Sequence, residues 1–171
     1  MSEEGDSEEL VKVLVDLPNH WATGGESLWA KSLGNNAFEL RNTPFYAYGL
    51  NWGDIVEAIE EDRDSKPLVR RVIRESGNRT LRLFFAETVD RDTQVQYLDQ
   101  MTELGLSYER ATASLVAIDI HPGSDYGAVC DHLWHLEQKE ILQYETCEGR
   151  AEARFDDGPR DEEEPIGEYE N

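Results

Sequence analysis

The chain has 171 residues and is 39% hydrophobic, enough for one ordinary domain or two very small ones around a real core, which excludes a peptide or a fibre. Its 37 Asp and Glu against 16 Lys and Arg leave a net charge of −21, which argues against direct nucleic-acid binding and against adsorption to an anionic membrane, since both rely on Lys and Arg. No run approaches the ~18 apolar residues of a membrane span, and the acidic start Met1-Ser2-Glu3-Glu4-Gly5-Asp6 is unlike a signal peptide, so the expected location is the cytoplasm, with Cys130 and Cys147 as free thiols.

Residues 1–9 form an acidic stretch with too little to bury and are expected to be a disordered tail. Leu10 to Leu17, LVKVLVDL, is β-rich and stops at Pro18, the pattern of a first strand. Ser27 to Lys31 and Ala37 to Arg41 flank Leu33-Gly34-Asn35-Asn36, a turn whose Gly and Asn tolerate positive φ, and predict a hairpin. After the aromatic stretch Phe45 to Leu50, the Gly53-Asp54 turn leads into a strand at Ile55 to Ile59. Leu68 to Glu75, the Gly77-Asn78 turn and Thr80 to Ala86 predict one more hairpin. Residues 10–79 therefore read as a small antiparallel β-barrel or curled sheet.

The period changes in the second half. Asp92 or Thr93 is the expected cap of a helix carrying Val95, Leu98 and Met101, stopped at Gly105. Thr112 to Ile120, TASLVAIDI, predicts a buried strand. From Ser124 or Asp125 a second helix presents Tyr126, Val129, Cys130, Leu133 and Leu136 on one face, and Ile141 to Glu145 returns as a strand. Residues 80–149 thus read as a ferredoxin-like strand-helix-strand-helix-strand half, short of one strand that the first half would supply. The fold class is α+β. Residues 150–171, with nine acids from 151 onward, are expected to be a second acidic disordered tail that adds little to folding.

Four strings, Ser27-Leu28-Trp29-Ala30, Asn42-Thr43-Pro44-Phe45-Tyr46-Ala47, Gly53-Asp54-Ile55-Val56-Glu57-Ala58 and Ser76-Gly77-Asn78-Arg79-Thr80-Leu81-Arg82, resemble in content and spacing the bacterial domain-of-unknown-function family 4265. The resemblance extends to about Glu148. It implies kinship and brings no catalytic residue with it. The C-terminal half is also similar in layout, though in no shared motif, to the regulator of ribonuclease activity B, an inhibitor that binds a ribonuclease.

The residues themselves offer no strong catalytic pattern. His132 and His135 lie at i, i+3, but neither they nor Cys130 belong to a CxxC, HExxH or carboxylate-His arrangement, so no metal and no cofactor is expected. There is no GxSxG, and Gly24-Gly25-Glu26-Ser27 lacks the ending of a phosphate loop. The informative cluster is Trp29, Asn42, Phe45, Tyr46, Tyr48, Trp52 and Asp54, which reads either as a shallow pocket for a peptide or small ligand or as barrel core with Asn42 and Asp54 holding turns. Arg70, Arg71, Arg74, Arg79 and Arg82 place five of 12 arginines within 13 residues, either as an anion site or as a strand face paired with neighbouring acids. The leading expectation is a non-enzymatic interaction or regulatory protein that meets a partner with a basic surface, neutralising a nuclease or toxin. The alternative is a small-molecule enzyme or ligand sensor that holds an anion between the aromatic cluster and Arg74, Arg79 and Arg82.

Overall fold

The computed structural model describes residues 9–149 and 155–156. Strands β1 (Leu10–Asp16), β2 (Gly25–Gly34), β3 (Ala37–Leu40), β4 (Ile55–Ile59) and β5 (Leu68–Arg74) close into a barrel. A second unit follows, with β6 (Arg79–Phe85), α1 (Arg91–Met101), β7 (Leu106–Arg110), β8 (Leu115–Ile120), α2 (Tyr126–Gln138) and β9 (Leu142–Thr146). Its sheet runs β7-β8-β6-β9, a ferredoxin-like β-α-β-β-α-β arrangement. The chain is an α+β fold, a curled sheet followed by the strand-helix alternation. Among the described residues, no helix is long and apolar enough to cross a membrane.

The barrel forms because its strands alternate with period two. Val13 and Val15, Leu28 and Ala30, Phe38 and Leu40, Val56 and Ala58, and Val69 all point into one core. Successive strands pair antiparallel, and the barrel shuts where β1 meets β5 in parallel at Leu14 and Leu68, with Leu14 N–H donating to Pro67 O at 2.8 Å. The β2–β3 turn carries positive φ at Gly34, Asn35 and Asn36 (89°, 55° and 65°), which explains its composition.

In the second unit, Leu81, Leu83 and Phe85 of β6 join Val116, Ile118 and Ile120 of β8 beneath Leu98, Met101, Val129, Leu133 and Leu136 of the helices. Asp90 caps α1, accepting from Thr93 N–H at 2.8 Å, two residues ahead of the earlier of the two expected caps. Gly105, at φ 91°, ends the turn that follows α1, and Asp125 caps α2.

The structure corrects the sequence reading at three points. Leu68 to Glu75 and Thr80 to Ala86 do not pair: β5 pairs with β4, whereas β6 lies between β8 and β9. The buried run Thr80-Leu81-Arg82-Leu83 is suited to a central strand covered on both faces, not to a barrel edge. The strand missing from the second half is its own, β7, whose sequence LSYER is too polar to announce itself. Finally, Phe155 and Asp156 are buried: Phe155 packs into the barrel core, its carbonyl accepts from Tyr48 N–H at 2.8 Å, and Asp156 Oδ2 accepts from Asn19 N–H at 3.0 Å. At these two residues the expectation of a solvated tail fails. Its remainder, like the expected N-terminal tail at 1–8, lies outside the described residues.

Candidate functional site

The barrel rests on the sheet face that the helices leave open. Along β6, Thr80 and Arg82 alternate with the helix-facing Leu81 and Leu83 and turn toward the barrel segment 43–51. Arg82 is 1% exposed. Its Nε donates to Glu145 Oε2 at 3.0 Å, Nη1 to Ala47 O at 2.8 Å and Pro44 O at 3.3 Å, and Nη2 to Tyr46 O at 3.1 Å. The N–H groups of the same segment go to Glu26: Oε2 accepts from Phe45 at 2.6 Å, and Oε1 from Tyr46 at 3.0 Å and Ala47 at 2.9 Å. One buried carboxylate thus takes the donors and one buried guanidinium the acceptors of a loop with no sheet partner. Glu109 Oε2 extends the clamp to Thr43 N–H at 3.0 Å.

This clamp sets one wall of an open groove of about 510 Å³ between β1, β2 and β7, lined by Lys12, Ser27, Trp29, Asn42, Phe45, Tyr46 and Arg110 among others. Asn42 Oδ1 accepts from Trp29 N–H at 2.7 Å, taking the place of a strand neighbour and fixing the groove's edge. Of the residues expected at a site, the structure brings Trp29, Asn42, Phe45 and Tyr46 together here.

The others lie elsewhere. Tyr48 is buried under the Arg82 guanidinium, 4.6 Å from its ring centroid, and donates to Glu145 Oε1 at 2.7 Å; burial, with that bond, pushes its hydroxyl up to about 12. Asp54 accepts from Asn51 and Ser76 N–H, both at 2.9 Å, and so holds turns as the plainer reading anticipates; burial raises its pKa against those bonds. Trp52 sits on the outer barrel wall beneath Arg41, 5.9 Å away. Arg74 is exposed on β5. Arg79 lies 3.5 Å above the Tyr126 ring and pairs with Glu148 at 2.6 Å. Arg74, Arg79 and Arg82 therefore do not converge with the aromatic cluster on one pocket, which corrects that part of the sequence reading. Arg82 cannot serve a ligand while it holds the loop. Arg70 and Arg71 pair with Glu61 and Glu57, as the strand-face reading has it.

Sequence reasoning missed Lys12, Glu26, Glu109, Arg110 and the loop bearing His20 and Trp21. Glu26 carries a usable signal: it shares the inward register of Leu28 and Ala30, where an unpaired carboxylate is too costly to keep. His20 stacks on Trp21 and packs edge-on against Tyr46; burial, then Arg82, lowers its pKa, and its buried Nε2 has no hydrogen-bond partner among the described residues. Cys147 is buried, which pushes its thiol up to about 12, and burial likewise raises Cys130. Both are free thiols. Among the described residues, no group of three or more His, Cys, Asp or Glu is placed to hold a metal ion.

Comparison with known proteins agrees with this architecture. A crystal structure of a hypothetical protein from Neisseria gonorrhoeae superposes with a TM-score of 0.70 at 19% identity, covering 83% of this chain and 96% of that one, a likeness of fold alone. No curated protein matches. The family described as a domain of unknown function, DUF4265, matches residues 26–144, from the clamp carboxylate Glu26 into β9, and the chain belongs to that family.

Proposed function

We propose that the protein is a non-enzymatic, cytoplasmic interaction protein that engages a partner with a basic surface, through the barrel wall bearing Trp29 and Trp52. The observation that carries this reading is the position of the tryptophans: all four lie at the surface, Trp21 at 66% exposure, Trp134 at 50%, Trp29 at 44% and Trp52 at 37%. Exposed tryptophan is expensive to leave in water and is enriched at the centres of protein contacts. Arg41 connects Trp29 and Trp52: its N–H donates to Trp29 O at 2.8 Å, and its guanidinium stands 5.9 Å from the Trp52 ring centroid. Lys12 Nζ stands 4.5 Å from the Trp29 centroid. Both rings are thus held in place by cations before any partner arrives, which lowers the ordering cost of binding.

The net charge of −21 supplies the long-range attraction for a basic partner. A nuclease or toxin whose basic surface is covered by this chain is the sharpest form of the reading. The test is affinity capture with the full chain as bait in a lysate of the source organism, at about 0.05 M and about 0.5 M salt, between which the screening length falls from about 14 Å to about 4 Å. A basic protein retained at low salt and released at high salt is the expected result. No retained protein, or retention indifferent to salt, contradicts the proposal.

A further inference from the structure

The groove between β1, β2 and β7 lacks the acidic excess of the rest of the chain. Four charged side chains line it: Lys12, Glu26, Glu109 and Arg110. Both carboxylates accept backbone N–H groups, Glu26 three from residues 45–47 and Glu109 one from Thr43. The two cations are not matched. Among the described residues neither Lys12 nor Arg110 meets a carboxylate, in a chain with 37 acids to 16 bases.

Arg110 is oriented without being neutralised. Its Nη1 donates to Thr112 O and Ala113 O, both at 3.1 Å, while the buried Nη2 has no acceptor among the described residues. Burial, and then the charge of Arg91, make its guanidinium a weaker base than usual. Lys66 Nζ donates to Ser27 Oγ at 3.2 Å and brings a third cation to the rim. Trp29, Phe45 and Tyr46 supply aromatic surface beside these groups, and about 510 Å³ is the size of a small-molecule site.

We infer that this groove binds a small organic carboxylate with a planar apolar body, its carboxylate set on Arg110 and Lys12 and its ring against the aromatic wall. A guanidinium and an ammonium without carboxylate partners favour an anion, and the walls favour a flat one. The groove shares Trp29 and Lys12 with the contact surface proposed above, but the inference rests on the Lys12 and Arg110 cations, and its test reads small-molecule binding rather than protein capture.

The test titrates the full-length chain at pH 7 with benzoate, indole-3-acetate, benzamide and inorganic phosphate, read by calorimetry and by the melting curve. At least one aromatic carboxylate is expected to bind saturably with a Kd below about 5 mM, and benzamide and phosphate about tenfold more weakly. Arg110→Gln and Lys12→Gln should each weaken the carboxylate about tenfold, and Lys139→Gln, at the far end of α2, should leave it unchanged. Lys12→Gln breaks no side-chain hydrogen bond or ion pair among the described residues, so it keeps the test decisive if Arg110→Gln melts early. Benzamide or phosphate binding as tightly as the carboxylates, wild-type affinity in Lys12→Gln, or no saturable response to either carboxylate at about 20 mM overturns the inference.

Discussion

Replacing Arg82 by methionine tests how the two halves of the molecule are joined. The side chain is 1% exposed and makes four hydrogen bonds, one to Glu145 and three to the carbonyls of Pro44, Tyr46 and Ala47. Methionine has a similar length, so little cavity is left and the loss is electrostatic. A buried acceptor left without a donor costs about 1–3 kcal/mol, and breaking a buried ion pair costs about 3–5 kcal/mol. These overlap, because Glu145 is partly exposed and retains the Tyr48 hydroxyl, so the expected destabilisation is about 4 kcal/mol, a large part of the ~5–15 kcal/mol that holds a domain folded. Arg82→Lys keeps a charge near Glu145 but lacks the fork that reaches three carbonyls, and should lose about 2 kcal/mol. Urea unfolding followed by tryptophan fluorescence measures both. A loss under about 1 kcal/mol for Arg82→Met refutes the clamp as the fastening between barrel and sheet.

Three further perturbations probe other parts of the account. Burial and Arg82 hold the His20 pKa below 6.5, so the unfolded chain takes up a proton before the folded one does; the associated stability is complete above about pH 6.5 and declines as pH falls toward the folded value. His20→Gln should flatten the fall of the urea midpoint between about pH 6.5 and 5, and an unchanged slope would contradict this. Phe155→Ala should cost about 3 kcal/mol, since Phe155 is packed in the barrel core, whereas a chain ended after Asp156 should melt within about 2 °C of the full chain; the reverse order overturns the reading of the chain end. Gly49 has φ +80° and a Cβ there would lie 3.0 Å from Gly149 Cα, so Gly49→Ala should lower stability by about 3 kcal/mol in the same unfolding assay, and a neutral effect would show that this close approach is not required.

Much of the architecture is legible locally. The alternation Val13, Val15 and Leu28, Ala30 marks barrel strands, and Val129, Leu133, Leu136 marks a helix face, because each records its own burial in its period. Pairing is less legible. Gly77 makes a turn whichever sheet β6 joins, and only contacts with β8 and β9, distant in sequence, decide. β7 is hidden because an edge strand needs few apolar residues. Of the aromatic cluster, Trp29, Phe45 and Tyr46 do line a groove and Asp54 does hold turns, but the arginine stripe misleads, since Arg82 is aimed inward at carbonyls that no sequence pattern displays. Lys12 and Arg110 are 98 positions apart by their numbers and meet at the groove only through the docking of barrel on sheet.

The central claim is that the exposed barrel wall is a contact surface for a basic partner, and the most direct measurement compares capture by the wild-type chain with capture by Trp29→Ser/Trp52→Ser, at about 0.05 M salt. Both tryptophans are surface residues, so the variant should keep the wild-type circular dichroism and melting curve. The account predicts that the basic protein held by the wild type is lost or reduced at least about tenfold with the variant, as expected when a central aromatic contact worth about 2 kcal/mol or more is removed. Equal capture by a folded variant would contradict it.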